Sequence, residues 1–326
     1  MKKSLLGLIS ICILILSCKK EHSGGTPPDQ TTHNVGFQVT FSQRTVQFQT
    51  SGLHNGNLKV NSLATTALTD MVDVIYYSVY DASGNNVHLI TQLSSASGFG
   101  SYVDNLHAGT YTVVIAAGKS GMILGRAPEA TSSKLGTDII YYGTGGFNRD
   151  AFYSKFSLTV TNSNTTNNVT LDRITSELTV VISDQIPLGV KTMGVVYGAG
   201  TTSRFSIGTG TPVTGGSAPP PLIDTLALSD IGTKNHQFSG LFLAATPTVR
   251  VQIFAKNGPD NLLEPGPHYS NLVAAKTLQD VTSQANAQTI LTGYLFGGNG
   301  TGSSGGFTAT IDTTWISNPA LNKTFP

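Results

Sequence analysis

Apolar and polar residues alternate with a period of two along several short segments, and this pattern constrains the fold more than any other feature. In the first such segment, Val35, Phe37 and Val39 alternate with small or polar residues. Successive side chains of an extended chain point to opposite faces, so the alternation predicts half-buried β-strands. Segments of the same kind lie at 46–48, 58–60, 72–80, 110–117, 156–161 and 178–182. Short strands separated by turns predict an all-β fold made of β-sandwiches.

The turn at residues 81–86 follows one of these strands directly. Its sequence, Asp-Ala-Ser-Gly-Asn-Asn, contains the residue types that favour hairpin turns. We expect Gly84 or Asn85 to adopt a positive φ there.

The composition excludes one class of partner. Nineteen basic and 18 acidic residues give a formal net charge of +1, which provides no electrostatic basis for binding nucleic acid. Charged residues make up only 11% of the chain, and Thr, Ser, Asn and Gly supply the remaining polarity. This balance favours strands with hydroxyl-covered outer faces over charged amphipathic helices.

The N-terminus has the pattern of an export signal. Two lysines precede an apolar run from Leu5 to Leu16, and Ser17 then precedes Cys18. The run is shorter than the ~20 residues that span a bilayer, and a small residue before the cysteine is typical of lipoproteins. The sequence therefore predicts a lipoprotein signal peptide at residues 1–17 and lipid attachment at Cys18, through which the mature chain binds a membrane. The alternative is an ordinary cleaved signal with an incidental cysteine.

The mature chain divides into a tether and two predicted domains. Gly, Ser and Pro at residues 23–32 indicate a spacer, so the lipidated tether covers 18–34. The N-terminal sandwich is predicted at 35–172 and the C-terminal sandwich at 173–326. Residues 248–258 align weakly with 111–121, and a leucine precedes each segment, which fits two related modules in tandem. Gly-rich and Pro-rich stretches at 208–221 and 297–306 are predicted to be exposed loops.

Each candidate motif for catalysis or metal binding lacks a residue or a structural context that its chemistry requires. Gly118-Lys119-Ser120 lacks the first glycine of a phosphate-binding loop, since Val113 stands in its place. The Gly-x-Ser-x-Gly match at 302–306 has neither a strand before it nor a helix after it.

Asp81 and Asn85 have a spacing that resembles calcium ligands, but no carboxylate follows at the closing position. Asp70 and Asp73 begin a strand, where capping is the simpler role. The seven histidines show no metal-ligand spacing. We predict no enzymatic activity and no cofactor.

Four segments resemble a known family, the Bacteroidetes fimbrillin superfamily. They are the junction from Val169 to Pro187, the approach Asp150-Ala151-Phe152-Tyr153 to the last strand of the first domain, the hairpin Tyr80-Asp81-Ala82-Ser83-Gly84 and the late segment from Thr289 to Phe296. The likeness is strongest to its Mfa2/FimB-type fimbrial anchor lipoproteins. The resemblance implies two transthyretin-like β-sandwiches on a lipid anchor in the outer membrane, facing the cell exterior. It also implies fimbrial subunits or other surface proteins as partners, joined by donated strands.

Two further expectations accompany the resemblance. Shaft subunits of this type lose their first strand when a protease cuts after an N-terminal arginine, and Arg44 is the first arginine of this chain. Arg44 is thus a candidate processing site, although a solvent-exposed turn residue is the simpler interpretation, and an anchor should retain the strand. The alternative function is a surface glycan-binding lipoprotein of a nutrient-capture system, with Tyr76, Tyr77 or Trp315 among the candidate stacking rings.

Overall fold

The computed structural model describes residues 31–42, 67–143, 147–258, 271–297 and 306–313. Within these residues the elements are β-strands apart from one short helix, α1 (Leu68–Met71), and one 3₁₀ turn, Leu228–Asp230. The prediction of an all-β chain is confirmed. None of the helices in this part of the chain has the length and apolarity needed to cross a membrane. The signal peptide, Cys18 and Arg44 lie outside the described residues.

Module 1, the described residues before 174, is a sandwich of two sheets. Its strands are β1 (Thr32–Phe41), β2 (Val74–Tyr80), β3 (Asn86–Leu93), β4 (Ser101–His107), β5 (Gly109–Gly118), β6 (Met122–Arg126), β7 (Asp138–Tyr142), β8 (Ala151–Val160) and β9 (Thr165–Arg173). Hydrogen bonds link seven of them in the order β3-β2-β5-β8-β9-β1-β4. Since β8 and β9 share two residue pairs, the ribbon folds there into a four-stranded and a three-stranded layer.

The core of module 1 lies between these layers. Inward residues of β1, β2, β4, β5, β8 and β9 enclose it, and the alternation that predicted β1 supplies three of them: Val35, Phe37 and Val39. The strand begins at Thr32 and therefore includes the last residues of the predicted tether.

Module 2, the described residues after 173, is a second sandwich. Its strands are β10 (Ser176–Ile182), β11 (Thr192–Tyr197), β12 (Thr201–Thr202), β13 (Arg204–Ser206), β14 (Thr211–Pro212), β15 (Leu222–Thr225), β16 (His236–Ala244), β17 (Thr248–Lys256), β18 (Leu272–Thr282), β19 (Gln288–Gly293) and β20 (Thr308–Asp312). One sheet has the order β15-β11-β17-β18 and the other β12-β16-β10-β19-β20. Their inner faces enclose a separate apolar core.

The two modules repeat one topology. In module 1, β1 runs parallel to β9 and antiparallel to β4. In module 2, β10 runs parallel to β19 and antiparallel to β16. The strands β3-β2-β5-β8 correspond in the same way to β15-β11-β17-β18. The segments 111–121 and 248–258, aligned from sequence, contribute to the equivalent strands β5 and β17.

A further sheet joins the modules. Strands β6 and β7 of module 1 and β13 and β14 of module 2 form one sheet in the order β14-β13-β7-β6. A third apolar core lies against it and mixes residues of both modules, including Tyr80, Ile140, Phe205 and Leu243. The stretch 208–221, predicted to be loop throughout, therefore contributes strand β14 to this sheet. The limits 35–172 and 173–326 stay a prediction, because this core belongs to both modules.

Candidate functional site

The first strand is the element through which the family resemblance predicts function, and it is built into the middle of its layer. It pairs with β4 from Thr32 to Gln38 and with β9 from Val35 to Phe41. A strand hydrogen-bonded on both sides has no free edge to offer or to extend. Module 1 therefore has its first strand in place.

Side-chain packing adds to this backbone pairing. Val35, Phe37 and Val39 are almost fully buried. The Phe37 ring centroid lies 6.3 Å from that of Tyr77 and 6.5 Å from that of Tyr102. Phe41 packs against Phe152 with a centroid distance of 4.4 Å. Each buried side chain of this size contributes about 1.5–3 kcal/mol, so removing β1 would cost module 1 much of its stability.

Both ends of β1 are fixed by hydrogen bonds. At its start, the Asn34 amide donates to the side-chain oxygen of Asn164 at 2.9 Å. Near its end, the Val39 amide donates to the carbonyl of Gly100 at 2.8 Å, and the Ser42 amide donates to that of Leu171 at 3.1 Å. These bonds hold the strand in register along its whole length.

The junction between the modules contains a buried ionic cluster. The Arg173 guanidinium Nε lies 2.9 Å from the Asp150 carboxylate, and both side chains are buried. The Arg173 group also stacks on the Phe152 ring at 5.1 Å. Burial lowers the pKa of Arg173, although the Asp150 carboxylate opposes that shift. The arginine is thus a paired charge at the end of β9.

Glu177 is the third charge of the junction. It is buried on the outer face of β10, and its Oε1 accepts hydrogen bonds from Gln288 and Thr179. Burial raises the pKa of Glu177. Sequence reasoning used this segment only for its family resemblance. The sequence did contain a signal for this buried charge, because Glu177 is the only charged residue between Arg173 and Asp184.

Residues considered for catalysis or metal binding form turns instead. Gly84 has φ +76°, as expected for the hairpin, and Asp81 Oδ1 accepts hydrogen bonds from the amides of Ser83 and Asn85. Hydrogen bonding to Asn85 lowers the pKa of Asp81. The Asp73 carboxylate likewise accepts from the Ser120 amide at 2.8 Å. These carboxylates stabilise local backbone.

Two of the described histidines each lie beside a single carboxylate. His88 pairs with Asp104 at 2.9 Å and His236 with Asp224 at 3.1 Å. Within the described residues, no group of three or more His, Cys, Asp or Glu side chains could hold a metal ion.

The candidate stacking tyrosines of the described chain belong largely to the interior. Tyr77 and Tyr142 are buried, and Tyr76 is half-buried with its hydroxyl donating to the Met122 carbonyl at 2.8 Å. Trp315 lies outside the described residues. A cleft of about 430 Å³ opens instead at the seam of the modules, where its lining includes Tyr111, Thr112, Ser206 and Thr209.

A family model matches most of this chain. The model of the fimbrillin-A associated anchor proteins Mfa1 and Mfa2 matches residues 28–251, which include all of module 1 and its junction. The chain belongs to this family of anchor proteins. Membership assigns it to the fimbria-associated proteins of the cell surface.

Solved structures with similar folds include members of fimbrial systems. The fimbrial anchor protein Mfa2 from Porphyromonas gingivalis is 10% identical, with 86% of this chain and 97% of that chain covered and a TM-score of 0.48. A fimbrial assembly protein from Parabacteroides distasonis is 12% identical, with 86% and 95% covered and a TM-score of 0.43. No curated protein matches the chain. Since neither TM-score reaches 0.5, the assignment depends on the family model.

Proposed function

We propose that this protein is a lipid-anchored fimbrial anchor or accessory subunit that associates with other fimbrial subunits through strand pairing and catalyses no reaction. The observation that carries this proposal is the first strand of module 1, paired with β4 and β9, together with the family match. An anchor must keep its body connected to its lipid. A first strand that is buried, paired on both sides and fixed at both ends supports that role.

The proposed attachment is a lipid on Cys18, which holds the chain in the outer membrane facing the exterior. Residues 18–31 then lead to β1 as a tether. Two or more acyl chains are needed for stable anchoring, because a single chain gives only marginal membrane binding.

The anchor is tested by Cys18→Ser, since a serine hydroxyl cannot form the thioether to lipid. We expect this variant to leave the membrane fraction during a carbonate wash. Cys12→Ser is the matched control, because Cys12 is the only other cysteine and lies within the signal. Retention of the Cys18→Ser protein on the membrane would refute the lipid anchor.

The fimbrial role is tested by crosslinking intact cells and identifying the neighbours of the full-length protein. Fimbrial subunits are the expected neighbours. The competing hypothesis is a glycan-binding lipoprotein, for which the cleft at the seam is the place to examine. A polysaccharide that raised the melting temperature, together with an absence of fimbrial neighbours, would favour that hypothesis.

A further inference from the structure

Strand β3 is an edge strand with an unusual composition. It pairs with β2 on one side, and in the described chain no strand pairs with its other side. Its eight residues, Asn86–Leu93, include no Lys, Arg, Asp, Glu or Pro. Charged residues and prolines are two of the features by which proteins protect such edges from other strands. The β3 edge lacks both.

The β3 edge also exposes apolar side chains at strand periodicity. Val87, Leu89 and Leu93 occupy alternate positions on one face, and Leu93 is 57% exposed. Ile90 is exposed on the other face. Single exposed leucines are ordinary, but four large apolar residues on one free strand form a surface suited to a partner.

Side-chain contacts hold the β3 edge in place. His88 Nδ1 lies 2.9 Å from the buried carboxylate of Asp104 on β4. Gln92 donates to the carbonyls of Gly98 and Ser101 and accepts from the Gly100 amide at 2.8 Å. A pre-ordered edge pairs with a strand at a smaller entropic cost than a mobile one.

The other free edges in the described residues are short or protected. Strand β4 has the inward-pointing charge of Asp104. Strand β18 carries Lys276 and Asp280, and Asp280 has φ +55°. The remaining edge strands, β6, β12, β14, β15 and β20, contain two to five residues each.

We propose that the β3 edge accepts an extended strand from another fimbrial subunit, with apolar side chains packing on Val87, Leu89 and Leu93. This inference rests on the proposed function and names its surface. The position of β1 is already filled, so an incoming strand needs a different edge. Only an extended segment can pair with a free strand edge along its length, and alternate apolar residues match the period of the exposed face.

A second copy of this chain is the less suitable occupant. Antiparallel pairing of two β3 edges would form a closed two-fold dimer. Both edges would then be used, and neither anchor could join a fimbria through β3.

The test uses the full-length protein on intact cells. A photoreactive residue replaces Thr91, which is exposed on the same face as Leu89 and Leu93. We expect it to crosslink to a segment of another fimbrial subunit. The double variant Leu89→Lys/Leu93→Lys should lower the amount of co-purified fimbrial subunits about tenfold, which corresponds to about 1.4 kcal/mol of binding free energy.

The control is Val273→Lys, which adds one lysine, against two in the double variant, to β18 at a valine that is 44% exposed. It should leave co-purification unchanged, and circular dichroism should show that all variants are folded. A crosslink from position 91 to a second copy, or to no protein, would overturn the inference. Undiminished co-purification in the double variant would also overturn it while leaving the fimbrial role intact. Absence of fimbrial subunits from the unmodified protein would refute the proposed function itself.

Discussion

The first strands of the two modules have the same position but different connections to the chain. Strand β1 lies parallel to β9 and antiparallel to β4, as β10 lies parallel to β19 and antiparallel to β16. β10 begins at Ser176, directly after Arg173 ends β9 and beside the buried charges of the junction. β1 instead begins near the N-terminus and ends at Phe41, close to Arg44. The two strands have the same position in their modules but differ in how easily cleavage could detach them. One cut after Arg44 would separate β1 from the rest of the chain.

The largest expected effect tests how far module 1 depends on β1. Phe37→Ala removes a buried ring from the core and should lower the free energy of unfolding by about 4 kcal/mol. Denaturant unfolding followed by tyrosine fluorescence would measure this change. Gln38→Ala, at the next and exposed position, should change it by less than about 0.5 kcal/mol. Equal effects of the two variants would mean that β1 does not hold module 1 together.

The next effect tests whether the junction secures β10. Asp150→Ala leaves the Arg173 guanidinium buried without its partner carboxylate and should cost about 3 kcal/mol. The control Glu129→Ala breaks the exposed ion pair with Arg204, which also joins the modules, and should cost under about 1 kcal/mol. Calorimetry would compare the two. If Asp150→Ala lowers the free energy of unfolding no more than Glu129→Ala does, the junction does not hold β10 more firmly than β1 is held.

The smallest effect concerns pH. Burial raises the pKa of Glu177 in the folded state above its unfolded value, so its contribution to stability is full below the unfolded pKa of about 4.3. That contribution is lost as the pH rises through the folded pKa. Glu177→Gln removes the titration, so the variant should gain stability relative to the unmodified protein between pH 4 and pH 7. Denaturation midpoints of both proteins at pH 4 and at pH 7 would measure this gain. A difference in stability between the two proteins that is the same at both pH values would contradict the prediction.

Much of the fold could be predicted from local patterns. Alternation in Val35, Phe37 and Val39 depends on the two-residue period of a strand, and the Gly84 turn depends on local backbone preference. The shared sheet could not be predicted, because its pairing of Ile140 with Phe205 joins residues far apart in sequence. The β3 edge was likewise out of reach, since a sequence pattern shows that a strand forms but not which of its sides remains unpaired.

The central claim is that the chain works as an anchor with its first strand retained, and the mature N-terminus tests it most directly. The full-length protein would be isolated from the surface of intact cells, and its N-terminal peptide identified by mass spectrometry. We predict a chain that begins at lipidated Cys18 and continues through β1. A mature N-terminus at Thr45, following a cut after Arg44, would contradict the account and indicate a polymerising shaft subunit instead.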